Sequence, residues 1–230
     1  MKLVDVVIQT SKFMKSTYIN GRFYYQDEKG IRLPAVTTIL KATQPIESVV
    51  ALSNWRNKVG DAEANHIALT SRRRGELLHQ WVKEYLQGLS PTASSLIQPY
   101  CYSVQSVLEK LSDVQLVETV VPNYVEGYAG KVDLVARYKG IPCTIEWTTA
   151  EEAKLRVGKL YDKPLQVVAY GGAINRHYGE SLFGSKIANA LIVVALPGEE
   201  AEIFMLEREQ LLDYWQKWLK RLKFFGEKAA

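Results

Sequence analysis

Residues 130–148 constrain this chain more than any others. Two β-type runs, Gly130-Lys131-Val132-Asp133-Leu134-Val135 and Thr144-Ile145-Glu146-Trp147-Thr148, flank a Lys139-Gly140 turn and read as one hairpin. Side chains alternate faces along a strand. Asp133 is therefore expected on the face of Lys131 and Val135, and Glu146 on the face of Thr144 and Thr148. Val132, Leu134, Ile145 and Trp147 fit a core face. Two carboxylates brought together across a hairpin repel each other unless a cation lies between them. Hard oxygen ligands of this kind suit Mg²⁺ or Mn²⁺. The competing reading is a solvent-facing hairpin with two ordinary surface acids.

The remaining pattern builds a sheet around that hairpin. Strand-like runs cover 115–121, 130–138, 141–148, 187–196 and 201–205. A further hairpin at 18–25 turns at Asn20-Gly21. Residues 45–86 carry helical spacing, as in Val49, Leu52 and Trp55 and then Leu78, Trp81, Val82 and Tyr85. Gly60-Asp61 interrupts this stretch, with Asp61 the expected N-cap, and Gly88 ends it. More helices are expected over 99–111, 165–177 and 208–225. Pro164 is tolerated in the first turn of the second, and Leu211, Leu212, Trp215, Trp218, Leu219 and Leu222 form the apolar stripe of the third. The fold class is α/β: a mixed central β-sheet flanked by helices, with a helical N-terminal part. The expected organisation is one domain, with the hairpin and helical part at 1–112 and the sheet core with its C-terminal helices at 113–230.

Four elements recur here in a fixed order: Gly75-Glu76-Leu77-Leu78-His79, Gly130-Lys131-Val132-Asp133, Glu146-Trp147-Thr148, and Gln166-Val167-Val168-Ala169-Tyr170. Together they resemble the PD-(D/E)XK nuclease superfamily, within it the RecB-type exonuclease branch, and most nearly the mitochondrial genome maintenance exonuclease group. That pattern is an upstream Gly-x-x-x-His helix, an Asp closing a G-x-[VI]-D strand, an acid-x-Lys strand, and a helix carrying Q-x-x-x-Y. The resemblance runs from about Tyr18 to the C-terminal helix and includes Leu33-Pro34-Ala35-Val36-Thr37-Thr38-Ile39-Leu40.

The resemblance implies a restriction-endonuclease-like core that hydrolyses DNA at its ends, with single strands preferred and threaded under the N-terminal helices. It implies Mg²⁺ or Mn²⁺, held by His79, Asp133, Glu146 and the backbone carbonyl of Trp147. It also implies that Gln166 and Tyr170 contact the site and the DNA backbone. Gly75, with no side chain, is expected to let its helix approach another backbone. One departure matters. Thr148 stands where the family has lysine, so a positive charge beside the scissile phosphate is missing and reduced activity is expected. Lys131, two residues before Asp133, is one candidate substitute, and Lys154 and Lys159 are within reach of the same region.

Composition narrows the surroundings. The net charge of +4 permits a polyanionic partner without demanding one. Arg72, Arg73, Arg74, Lys154, Lys159 and Lys163 flank the motif elements and are the expected phosphate contacts, which position nucleic acid without reading sequence. The two cysteines, Cys101 and Cys143, are too few for a disulfide framework, a four-Cys zinc site or the four-cysteine iron–sulfur cluster of some relatives. Reduced thiols in a cytoplasmic or other reducing, DNA-containing compartment are expected. The first fifteen residues lack the apolar run of a signal peptide, and no segment has the length of a membrane span. Oligomeric state is not legible. Two rivals to the enzyme remain: a non-catalytic DNA-binding protein that keeps the nuclease fold, and a site switched off by replacement of its lysine.

Overall fold

A computed structural model describes residues 14–229. Most of the N-terminal stretch read for a signal peptide lies outside the described residues. Three short strands, β1 (Lys15–Ile19), β2 (Arg22–Gln26) and β3 (Arg32–Pro34), form a small antiparallel sheet. Asn20 and Gly21 both take positive φ, 50° and 73°, as the tight primed hairpin turn requires. Four helices follow: α1 (Val36–Ala42), α2 (Ile46–Val59), α3 (Asp61–Leu86) and α4 (Gln98–Leu108). Then come β4 (Leu111–Asn123), β5 (Tyr128–Tyr138) and β6 (Ile141–Thr149), the helix α5 (Lys163–His177), β7 (Ala190–Ala195), β8 (Glu202–Leu206) and α6 (Arg208–Ala229).

The main sheet has the order β4-β5-β6-β7-β8. Only the β6–β7 pair is parallel, with α5 as its crossover, so the sheet is mixed. Helices cover both faces. The second half of α3 and α4 bury Leu78, Val82, Val104 and Leu108 against Leu134, Ile145, Trp147 and Val193. On the other face α1, α5 and α6 bury Ile39, Tyr170, Ile174 and Trp218 against Leu116, Val121, Val132 and Val135. A strand buried on both sides reads as a near-continuous apolar run, which is why β7, Ala190-Leu191-Ile192-Val193-Val194-Ala195, does. No described helix is long and apolar enough to cross a membrane.

Several expectations shift. Val132 does not share the core face of Leu134, Ile145 and Trp147; it packs in the opposite layer with Val135. The helix expected over 99–111 stops at Leu108, and Leu111 already begins β4. The strand expected over 187–196 is confined to Ala190–Ala195. Gly60 rather than Asp61 occupies the N-cap of α3. At the other end Gly88 (φ 77°) does terminate α3, its N–H donating to Tyr85 O and that of Leu89 to Glu84 O. A Cβ at Gly75 would meet nothing within 4 Å, so this glycine leaves open space instead of admitting another backbone. The helical spacing at Val49, Leu52 and Trp55 is present, yet α2 has no buried residue.

Candidate active site

The β5–β6 ladder runs from Tyr138↔Ile141 to Leu134↔Ile145 and then stops. The next pair would be Asp133 and Glu146. Instead Asp133 Oδ2 accepts the backbone N–H of Trp147 at 2.9 Å. The two strands thus fork, and both acids sit at the fork. Asp133 is 8% exposed and Glu146 1%, so neither is a surface acid. Burying carboxylates is costly unless they are paired or coordinated. The partners are all within reach.

The first partner is a residue the sequence reading missed. β4 pairs with β5 through Val117↔Leu134 and Thr119↔Val132, which sets Glu118 opposite Asp133. Glu118 has φ 50°, the left-handed region that costs a non-glycine residue about 1–3 kcal/mol. Alternation changes phase there. Leu116 and Val121 are five apart on β4, and Val132 and Val135 three apart on β5, yet all four pack in one layer. This kink explains the displaced Val132 and turns Glu118 into the cleft between the sheet and α3. In the sequence, Leu116-Val117-Glu118-Thr119-Val120 reads as a plain strand with one outward acid; only its adjacency to the Asp133 strand marked it.

His79 reaches the same point from α3. Its Nδ1 lies 3.1 Å from Glu118 Oε1 and 3.4 Å from Asp133 Oδ1. Ligand atoms of His79, Glu118 and Asp133 all lie within 4.8 Å of one another. The electrostatics show strain among like charges. Burial, then the charge of Glu146, push the Asp133 carboxyl well above the ordinary carboxylate range. Burial alone would lower the His79 pKa. The charge of Asp133 and the hydrogen bond to Glu118 outweigh it and raise the imidazole to about 9. Glu118 moves the opposite way to Asp133. Burial would raise it, but hydrogen bonds to His79 and Lys131 hold it below its usual value.

Glu146 faces α5. Its Oε1 accepts from Lys163 Nζ at 2.6 Å and from Gln166 Nε2 at 2.8 Å. Gln166 also donates to the Tyr170 hydroxyl at 3.0 Å. Gln166 and Tyr170 are one helical turn apart, which brings both to this spot. Gly130 makes room: a Cβ there would lie 2.4 Å from the Tyr170 ring. The Oε2 of Glu146 is buried and has no hydrogen-bond partner among the described residues.

The basic residues divide. Lys131 lines the cleft but forms an ion pair with Glu118. Lys163, expected at DNA phosphates, is paired with Glu146 at the site itself and its side chain is 30% exposed. Arg74 is buried; it pairs with Glu151, donates to Thr149 Oγ1 at 3.1 Å and stacks over Tyr100. Its guanidinium therefore fastens α3 to the end of β6. Arg72 and Arg73 are exposed, Arg72 at the rim of the cleft. The backbone N–H groups of Lys154 and Leu155 are tied to Glu202, which anchors the loop that carries Lys154 and the exposed Lys159. The backbone N–H of Trp147, whose carbonyl is the expected ligand, donates to Asp133.

The cleft has a volume of about 670 Å³. It presents carboxylates and one imidazole, the donor set of a hard or borderline divalent ion. The clustered ligand atoms and the unpartnered Glu146 Oε2 fit such an ion. The group closest together is His79, Glu118 and Asp133, with Glu146 beside it rather than in it.

No protein-family model matches the chain. Curated proteins do. The chain is 32% identical over 204 residues to mitochondrial genome maintenance exonuclease 1 of Mus musculus, a match covering 85% of this chain and 60% of that protein. The Homo sapiens protein of the same name is 31% identical over 205 residues, covering 85% and 59%. That of Xenopus tropicalis is 31% identical over 207 residues, covering 85% and 58%. The chain thus spans about three fifths of the length of these relatives, all of which are named exonucleases.

Proposed function

We propose that this chain is a divalent-metal-dependent deoxyribonuclease that hydrolyses phosphodiester bonds from free DNA ends, with single strands preferred. The observation that carries this reading is the convergence of His79, Glu118 and Asp133 in one cleft beside the buried Glu146. The similarity to proteins named exonucleases supports it.

His79, Glu118 and Asp133 would hold Mg²⁺ or Mn²⁺, with Glu146 Oε2 the next available oxygen. Once bound, the ion supplies an activated water and positive charge against the phosphoryl oxygens. The protein's part is positioning. The Trp147 N–H fixes the Asp133 carboxylate, and Gln166, itself bonded to Tyr170, fixes that of Glu146. Arg72 at the rim would meet the incoming backbone, and such contacts carry no sequence information.

The test is hydrolysis of end-labelled linear and of circular single-stranded DNA in Mn²⁺, in Mg²⁺ and in EDTA. Linear DNA should be degraded, circular DNA spared, and EDTA should stop the reaction. Thr148 in the motif lysine's place favours one rival, a binding module on the same fold. It takes over if neither single- nor double-stranded DNA is cleaved with either metal while DNA is still bound.

A further inference from the structure

We propose that Lys163, from the first turn of α5, delivers to the active site the positive charge that the motif places at residue 148. The inference rests on the nuclease reading above and names a residue for that chemistry. Its ground is spatial. Thr148 lies two residues after Glu146, so a lysine there would lean along the same face of β6. Lys163 comes from the other side of the gap and puts Nζ 2.6 Å from Glu146 Oε1. Thr148 and Lys163 line one small hollow of about 350 Å³ together with Gln166. Lys163 also lines the main cleft with His79, Glu118 and Asp133. It is the described residue that spans both spaces, so its ammonium stands where a longer side chain at 148 would end.

Each of the other candidates lines one of the two spaces only. Lys131 lines the main cleft but not the hollow beside Thr148, and its side chain is half exposed. Lys154 and Lys159 line the hollow beside Thr148 but not the main cleft, and Lys159 is exposed. Lys163 has the geometry of a fixed charge. It begins a helix, Pro164 rigidifies that first turn, and Gln166 shares its acceptor on Glu146.

In the reaction, the oxygen of water bonds to phosphorus as the phosphorus–oxygen ester bond breaks. One water proton ends on the released alcohol and the other on the new phosphate monoester or in solvent. The Lys163 ammonium moves no proton. It stands against the charge that accumulates on the phosphoryl oxygens, an electrostatic contribution whose loss typically costs roughly 10²- to 10³-fold in rate.

The experiment measures single-turnover cleavage of linear single-stranded DNA in Mn²⁺ for the unaltered chain, Lys163→Met, Lys163→Arg and the double variant Thr148→Lys/Lys163→Met. Mn²⁺ affinity is measured calorimetrically on each. Lys163→Met should lose roughly 10²- to 10³-fold in rate while binding Mn²⁺ as well as the unaltered chain or better, because a like charge beside the site is gone. Lys163→Arg should retain more activity than the Met variant. The double variant should regain at least about tenfold, since the lysine is restored from the other side of the same gap. Equal cleavage by the unaltered chain and Lys163→Met overturns the assignment. So does loss of Mn²⁺ binding in Lys163→Met, which would make Lys163 a prop for the ligands, and so does a double variant no faster than the single one. If the unaltered chain cleaves nothing, the nuclease reading itself falls and the assignment with it.

Discussion

Protonation of His79 should make the metal-free protein lose stability as pH rises. The imidazole is raised from its usual 6.5 to about 9 by Asp133 and Glu118, against the lowering effect of burial. Its side chain is only 25% exposed, so solvent screening is modest. At about 1.36 kcal/mol per pKa unit, the shift is worth up to about 3 kcal/mol. The sign follows from which state holds the proton more tightly. The folded state does, so the contribution is fully present below pH 6.5 and disappears as pH rises through about 9. For a chain of this size, a loss of about 3 kcal/mol lowers Tm by roughly 6–12 °C. Thermal unfolding in EDTA from pH 6 to 9.5, on the unaltered chain and on His79→Gln, reads this directly. The variant should show a flatter profile, the two curves should approach each other at high pH, and added Mn²⁺ should raise Tm more at pH 8.5 than at pH 6. Parallel profiles for the two proteins would refute the electrostatic picture of the cleft.

Gly130→Ala should destabilise the fold by about 1–3 kcal/mol, because its Cβ would fall 2.4 Å from the Tyr170 ring in a packed layer; urea unfolding with an unchanged midpoint would contradict that close approach. DNA affinity should fall steeply with salt, with a log–log slope set by the number of phosphates neutralised and little dependence on sequence. Fluorescence anisotropy on two unrelated oligonucleotides at several salt concentrations decides this, and a flat response counts against a phosphate-contacting rim.

The local periodicities were legible, and so was the motif order. The acid-bearing strands, their Lys139-Gly140 turn and the Gln166–Tyr170 helix turn lie where alternation and one-turn spacing put them. The conformation of Glu118 was not legible. An acid in a β-type run looks like an outward residue, and only a left-handed residue within the strand turns it to the other side. The same kink reversed the expected face of Val132. The pairing of Lys163 with Glu146 was not legible, because a cation before a helix looks solvent-facing, whereas its place is set by how α5 docks as the β6–β7 crossover. Arg74 was misjudged. Three consecutive arginines suggest a charged surface, but α3 points one in each direction, and Arg74 turns inward to Glu151 and Tyr100.

The central claim is that this cleft holds a divalent cation, and calorimetric titration of Mn²⁺ at neutral pH tests it most directly. The unaltered chain should show a saturable site that Asp133→Asn and Glu118→Gln each weaken by at least about tenfold, since both residues contribute oxygens to the cluster with His79. Mn²⁺ binding that is absent from the unaltered chain, or unchanged in both variants, would contradict it.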